Sequence, residues 1–158
     1  MSRQGLKIAL QHGQLLPAFS SLDEAKQSLL ARRDAHLEAF QSLTVEASGP
    51  SLDYSPESLK ALEKWYFQLY ESDGFATISA ERETFEQCMA FYFGEVAKRN
   101  AKDGEWVVEE FAFIRGKYEI GVCSGNMKVM VGSRRDHFKT PDNKRHQSLY
   151  RQYKQWFE

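Results

Sequence analysis

Between residues 22 and 100, apolar side chains recur mainly every three or four positions, and between residues 105 and 131 they recur every two. The first spacing places them on one face of an α-helix and the second on one face of a β-strand. The spacing of three or four positions predicts helices over residues 22–43, 56–71 and 80–100. The helix over 80–100 carries an aromatic-rich stripe of Phe85, Cys88, Met89, Tyr92, Phe93 and Val96. A last helix is predicted over residues 143–157.

The residues from 105 to 131 predict an antiparallel meander of short strands. Tyr118, Ile120 and Val122 alternate with less apolar residues, and the turns at 115–116 and 124–126 are short and rich in glycine. The first strand is expected to run from residue 105 to residue 114. Residues 6, 8 and 10 are also apolar and alternate, which allows a short N-terminal strand to join the sheet.

The sequence therefore predicts an α+β fold in one globular domain, residues 1–158. Helices cover one face of a small antiparallel meander of three to four strands, and a C-terminal helix closes the core. Polar residues mark the helix starts. Ser21 or Asp23 is expected to cap the first predicted helix, Ser55 the one that opens with Pro56, and Ser79 the one over 80–100.

Composition narrows the functional classes. The chain has 158 residues, of which 27% are charged and 42% hydrophobic, as in an ordinary globular protein. We find no apolar run long enough to cross a membrane and no signal peptide, so the expected location is the cytoplasm. Cys88 and Cys123 fall on apolar patterns and are interpreted as buried free thiols rather than as a zinc site.

Charge is distributed unevenly along the chain. Residues 115–158 have a net charge of +6, from ten Lys or Arg and four Asp or Glu, whereas residues 1–114 have a net charge of −7. The two parts can attract each other within the fold, or the basic part can face an acidic partner. Arg134 and Arg135 lie in the most basic segment and are candidate binding residues. A nucleic-acid interface through this segment ranks third among the functions considered, because no recognition motif accompanies it.

Gly94 and Glu95 stand out within the predicted central helix. A glycine inside a helix costs about 1 kcal/mol relative to alanine, so we expect another element to approach closely at Gly94. Glu95 has two interpretations. Its stem packs while its carboxylate reaches water, which the sequence favours, or the carboxylate is buried and paired.

An enzymatic alternative rests on carboxylates near the junction of this helix with the sheet. Glu95, Glu105, Glu109 and Glu110 can converge there to bind a metal or to act as acid and base, as in a hydrolase or a metal-dependent enzyme. The four histidines are scattered, and no nucleophile motif, phosphate loop or dinucleotide fingerprint is present. No catalytic residue, metal ligand or cofactor is therefore assigned.

Two segments resemble those of small bacterial proteins of unknown function. The first is Leu52-Asp53-Tyr54-Ser55-Pro56-Glu57-Ser58-Leu59, and the second is Tyr92-Phe93-Gly94-Glu95-Val96 followed by Gly104-Glu105-Trp106. Some proteins of this kind are similar to immunity proteins of contact-dependent or polymorphic toxin systems. The resemblance spans residues 52–132 and carries over no catalytic residue.

The resemblance implies a non-enzymatic cytoplasmic protein that binds another protein, and it gives Gly94 and Trp106 a structural role in the close packing of helix on sheet. The candidate binding residues are Glu95, Trp106, Glu109, Arg134 and Arg135.

Overall fold

The computed structural model describes residues 2–131 and 146–158. Within these residues the chain forms five α-helices and a three-stranded antiparallel sheet, so the predicted α+β fold is confirmed. The helices are α1 (Arg3–Gln14), α2 (Leu22–Glu46), α3 (Ser58–Glu71), α4 (Arg82–Asn100) and α5 (Ser148–Phe157). The strands are β1 (Glu105–Glu110), β2 (Tyr118–Ser124) and β3 (Met127–Met130), and a 3₁₀ turn (Gly74–Thr77) connects α3 to α4.

The sheet is the predicted meander, with the strand order β1-β2-β3. Trp106 of β1 lies opposite Val122 of β2, which in turn lies opposite Val129 of β3. Because side chains alternate along a strand, these three residues share one face, and α2 and α4 cover it. The opposite face carries polar residues, including Glu109 and Lys128.

Helix α4 lies at the centre of the molecule and is buried almost all round. The predicted stripe is buried, but so are residues on the other side of the helix, among them Phe91, Gly94 and Ala97. Helix α2 and the sheet cover α4, and α5 packs on it as well. The aromatic surplus in the sequence therefore serves largely as core around this helix, where Phe85 contacts Phe40, Trp65 and Phe75.

The predicted N-terminal strand is wrong, because residues 3–14 form helix α1. The Ser2 hydroxyl accepts a hydrogen bond from the Gly5 amide at 3.0 Å and caps the helix. Three alternating residues are too few to separate a strand from a helix that exposes Leu6 and Ile8 to solvent. The neighbouring segment adds only one isolated antiparallel bridge, between Ala18 and Lys117.

Strand β1 is shorter than predicted and ends at Glu110 instead of residue 114. The apolar residues that follow it leave the sheet and support α1. A Cβ atom added at Gly13 would lie 2.5 Å from a ring atom of Phe111 and 2.9 Å from Ile114. The His12 Nε2 atom lies 3.1 Å from the Glu119 carboxylate on β2. The extra apolar run is therefore a docking site for α1 rather than sheet.

Two of the predicted helix caps are observed. The Ser21 hydroxyl accepts a hydrogen bond from Glu24 N at the start of α2. The Ser55 hydroxyl accepts one from Ser58 N, although the regular helix begins only at Ser58. Ser79 is not a cap, because α4 begins at Arg82 after an irregular turn.

The C-terminal helix α5 begins at Ser148, later than predicted, and receives its cap from another helix. The Glu63 side chain of α3 accepts hydrogen bonds from the backbone amides of Ser148 at 3.0 Å and of Leu149 at 3.2 Å. Glu63 is only 3% exposed. A buried carboxylate thus satisfies the free amides at the start of α5 and holds this helix against α3. Residues 143–145 of the predicted helix lie outside the described residues.

The burial of Glu63 makes stability depend on pH. Burial raises the pKa of Glu63 above its ordinary value of 4.5, although the amides of Leu149 and Ser148 and the charge of Arg151 lower it. A carboxyl group with a raised pKa binds its proton more tightly in the folded chain. Its contribution to stability is therefore fullest below pH 4.5 and is lost as the pH rises through the raised pKa.

We expect the wild-type free energy of unfolding to fall, relative to that of the non-titrating variant Glu63→Gln, as the pH rises above about 4.5. Urea unfolding of both proteins between about pH 4 and pH 8 measures this difference. Parallel stability profiles for the two proteins would contradict the assignment.

Within the described residues, no helix combines the length and the apolar character that crossing a membrane requires.

Candidate functional site

A shallow groove lies where the middle of α2, the end of α4 and the start of β1 meet. Its volume is about 300 Å³. The groove is lined by two aromatic residues, three basic residues, two acidic residues and a leucine: Tyr54, Trp106, Arg33, Lys98, Arg99, Asp34, Glu95 and Leu37. We refer to these eight residues as the α2–α4 groove.

Trp106 and Glu95 form the floor of the groove. The Trp106 indole Nε1–H donates a hydrogen bond to Glu95 Oε2 at 2.8 Å, and Arg99 Nε donates to Glu95 Oε1 at 3.1 Å. The Glu95 side chain is 12% exposed. Glu95 is therefore paired through both of its oxygens, and its side chain is of intermediate burial rather than fully buried.

Gly94 explains how the tryptophan fits. A Cβ atom at Gly94 would lie 2.4 Å from Trp106 Cη2 and 3.0 Å from Cζ2, so no larger residue leaves room for the ring in this position. The close approach of a second element at Gly94, expected from the sequence, is the approach of the Trp106 side chain from β1. The Trp106 ring is fixed by this packing and by the hydrogen bond to Glu95.

Each of two arginines lies over an aromatic ring of the groove. The guanidinium carbon of Arg99 is 3.7 Å from the centre of the Tyr54 ring, and that of Arg33 is 5.4 Å from the centre of the Trp106 ring. Arg33 also pairs with Asp34 at 2.8 Å. Stacking on a ring restricts a guanidinium group while leaving its edge free to donate hydrogen bonds.

Tyr54 is held in an uncommon backbone conformation, with φ of +62°. The Tyr54 amide donates a hydrogen bond to the Tyr92 hydroxyl at 3.0 Å, and the Tyr54 carbonyl accepts one from Asn100 Nδ2 at 2.7 Å. The rings of Tyr54 and Tyr92 stack at 5.0 Å. A left-handed conformation costs a non-glycine residue about 1–2 kcal/mol, so these contacts hold Tyr54 against its own preference.

A family model described as "Uncharacterised protein YwmA" matches residues 18–157. The chain belongs to the YwmA family. A relative from Bacillus subtilis (strain 168), described as "Uncharacterized protein YwmA", is 31% identical over 111 residues, which cover 70% of this chain and 70% of the relative. No solved structure matches the chain. The resemblance to small bacterial proteins of unknown function is thereby confirmed.

The YwmA family match includes every residue of the α2–α4 groove, whereas helix α1 precedes it. The groove is therefore built on the part of the chain that aligns with the family. Helix α1 adds its contacts, through His12 and Gly13, at the other end of the sheet.

The carboxylates of the enzymatic alternative do not converge in this YwmA-family chain. Glu109 lies on the opposite face of the sheet from Trp106 and pairs with Lys128 at 2.8 Å. Glu110 accepts a hydrogen bond from the Gly116 amide, while Glu95 belongs to the groove. Within residues 2–131 and 146–158, no group of three or more His, Cys, Asp or Glu residues could hold a metal ion.

The burial and contacts of the two cysteine thiols and of His36 indicate structural roles. Cys88 is buried, burial raises its pKa to about 12, and the thiol therefore stays protonated at neutral pH. Cys123 is partly exposed rather than buried as expected. His36 Nε2 lies 3.2 Å from Gln87 Oε1 and its Nδ1 lies 2.8 Å from the Arg32 carbonyl.

Two of the five predicted binding residues, Glu95 and Trp106, come together in the groove. Glu109 lies elsewhere, and Arg134 and Arg135 lie outside the described residues. Sequence reasoning did not predict Arg33, Tyr54, Lys98 or Arg99 as binding residues. The only local signal for Arg33 was its interruption of the apolar face of α2.

Proposed function

We propose that this YwmA-family chain is a non-enzymatic cytoplasmic protein-binding module that docks its partner on the α2–α4 groove. The most concrete form of this proposal is an immunity-type protein that neutralises a partner toxin, which the sequence resemblance implies. The observation that carries the proposal is the grouping of Trp106, Tyr54, Arg33 and Arg99 around one groove.

Tryptophan, tyrosine and arginine are the residues that most often dominate the binding energy of protein interfaces. Here all three types occur together, and each side chain is already fixed. Trp106 donates to Glu95, Tyr54 stacks on Tyr92, and Arg99 lies on Tyr54. A partner that binds such a surface orders few additional rotamers, so less entropy opposes binding.

The groove is the centre of the proposed interface rather than the whole of it. A stable protein interface buries about 800 Å² on each partner, which is more than a groove of this size offers. Exposed polar residues of the groove itself, including Asp34 and Lys98, supply polar surface for the rim. Such a rim excludes water from the central contacts and adds little affinity of its own.

We expect the tagged wild-type protein to retain one stoichiometric protein partner from an extract of its native cells. The double variant Arg33→Gln/Arg99→Gln should retain it at least about tenfold less well, because each arginine at the centre of an interface contributes more than about 1 kcal/mol. Affinity capture followed by mass spectrometry measures both results.

The matched control is Arg3→Gln/Arg115→Gln, which removes the same charge from two exposed arginines outside the groove. It should retain the partner as the wild type does. An empty capture, or equal losses for the two double variants, would count against docking on the groove. For the immunity-type form, co-expression with the captured partner should relieve that partner's toxicity in wild type but not in the groove variant.

A further inference from the structure

We infer that the α2–α4 groove recognises an acidic segment of its partner protein, and that an Asp or Glu carboxylate of that segment binds the guanidinium groups of Arg33 and Arg99. This inference rests on the proposed docking function and names the chemistry of the partner. It depends on three features of the groove: which of its charges are already satisfied, how its arginines are held, and where it lies relative to helix α4.

The charges of the groove are not equally available. Glu95 is 12% exposed, and both of its oxygens are engaged, one by Trp106 and one by Arg99. It therefore neutralises part of the groove from within. Lys98 is exposed at the rim and has no ion pair within the described residues. The basic side chains outnumber the available acidic ones, so the groove is complementary to a negative ligand.

The two arginines retain hydrogen-bond donors for that ligand. Arg99 contacts Glu95 through Nε, and within the described residues its terminal nitrogens have no hydrogen-bond partner. A guanidinium edge presents parallel N–H groups that match the two oxygens of a carboxylate. Because Arg99 and Arg33 already lie on aromatic rings, their orientation is set before the ligand arrives.

Asp34 occupies one of these guanidinium groups in the free protein. Asp34 Oδ1 accepts a hydrogen bond from Arg33 Nε at 2.9 Å and lies 2.8 Å from Arg33 Nη2, yet the Asp34 side chain is 67% exposed. An exposed ion pair between neighbouring residues contributes little stability, so it is displaced at low cost. Asp34 therefore occupies the position on Arg33 that the partner's carboxylate would take, and the two carboxylates compete for it.

The position of the groove favours a carboxylate over a phosphate. Lys98 and Arg99 lie in the last turn of α4, where the helix dipole presents partial negative charge. Within the described residues no helix N-terminus lines the groove to supply the backbone amides that phosphate sites use. Asp34 and Glu95 also repel a dianion more strongly than they repel a single carboxylate.

The experiment titrates the full-length ¹⁵N-labelled protein with synthetic peptides and follows the Trp106 indole N–H signal. The chain has three tryptophans, and the Trp106→Phe variant identifies which signal belongs to Trp106. The probe is the peptide (Glu-Gly-Ser)₄. The controls are (Gln-Gly-Ser)₄ and the same peptide with phosphoserine in place of glutamate.

We expect the glutamate peptide to shift the Trp106 signal saturably and the glutamine peptide to leave it unchanged. Arg33→Gln/Arg99→Gln should raise the Kd at least about tenfold, while Asp34→Asn should lower it about two- to fivefold by removing the competing carboxylate. The opposite signs of these effects separate recognition from a merely structural role, because Asp34→Asn removes a contact but is expected to improve binding.

The inference is overturned if the signal does not move up to about 5 mM glutamate peptide. It is also overturned if the glutamine peptide gives the same shift, if only the phosphoserine peptide binds, or if Asp34→Asn weakens binding. If a partner is captured but the glutamate peptide does not shift the Trp106 signal, the docking proposal is supported, and the inference that the groove recognises an acidic segment is contradicted. If no partner is captured but the glutamate peptide binds specifically, the proposal of a protein partner is contradicted, while the recognition of carboxylate ligands by the groove is supported.

Discussion

Replacing Gly94 by alanine is expected to lower the free energy of unfolding by about 2 kcal/mol, although alanine is the better helix former. The added Cβ atom would lie 2.4 Å from Trp106 Cη2, well inside van der Waals contact. The tryptophan must then shift, and it cannot do so without loosening its hydrogen bond to Glu95 and its stacking under Arg33. These losses outweigh a helix-propensity gain of about 1 kcal/mol.

Urea unfolding of four proteins tests this expectation: wild type, Gly94→Ala, Trp106→Phe and the double variant. Phenylalanine lacks the ring atoms that the new Cβ would strike, so Gly94→Ala should be neutral or stabilising in the Trp106→Phe background. The coupling between the two substitutions is then the measured quantity. A stabilising Gly94→Ala in the wild-type background, or the same loss in both backgrounds, would show that the ring moves aside at little cost.

The close approach at Gly94 could be predicted from sequence because a glycine inside an aromatic-rich helix weakens that helix unless a neighbouring group needs the space of the missing side chain. Its neighbour Glu95 was harder to interpret. Whether its carboxylate reaches water depends on a tryptophan eleven residues later and on where β1 begins, and helical periodicity contains neither piece of information. The paired state became visible only when Trp106 and Arg99 were placed around it.

The remaining groove residues were not predictable because they come from separate elements. Arg33 lies on α2, Tyr54 lies in the loop before α3, and Arg99 lies in the last turn of α4. Nothing in their local sequence states that these three positions meet. Glu109 is a different case, because strand alternation alone places it and Trp106, three residues apart, on opposite faces of the sheet. The alternation of side chains along β1 is therefore enough to exclude Glu109 from any site with Trp106.

The misassigned N-terminus shows the limit of short patterns. Residues 6, 8 and 10 are apolar with a period of two, but the same sequence pattern is compatible with a helix in which Leu6 and Ile8 are exposed. The decision rests on long-range contacts, since Phe111 and Ile114 form the surface on which Gly13 packs. The same two residues made β1 look longer than it is. One tertiary contact therefore accounts for both errors.

Tyr92→Phe is expected to lower both the free energy of unfolding and the affinity for the partner, although Tyr92 does not line the groove. Burial raises the pKa of Tyr92, so its hydroxyl stays protonated at neutral pH and can donate. It accepts from the Tyr54 amide at 3.0 Å and lies 2.6 Å from Ser58 Oγ. Because the Ser58 hydroxyl itself donates to the Ser55 carbonyl, Tyr92 is the donor in the contact with Ser58.

Removing the Tyr92 hydroxyl leaves the Tyr54 amide and Ser58 Oγ each without this partner. We expect the free energy of unfolding to fall by about 2 kcal/mol, the usual range for buried polar groups that lose their hydrogen bonds being about 1–3 kcal/mol. Tyr54, at a φ of +62°, then lacks one of the bonds that hold it in the left-handed region. Its ring should leave its position under Arg99, and affinity for the captured partner should fall with it.

The control is Tyr118→Phe, which removes the hydroxyl of another buried tyrosine whose oxygen has no hydrogen bond within the described residues. Urea unfolding and affinity measurements on both variants separate the two tyrosines. Tyr92→Phe should lower stability and partner affinity together, whereas Tyr118→Phe should change stability less and leave affinity unaltered. If Tyr92→Phe lowers stability but binds its partner normally, the left-handed Tyr54 is a feature of folding, and the affinity of the groove does not depend on the position of the Tyr54 ring.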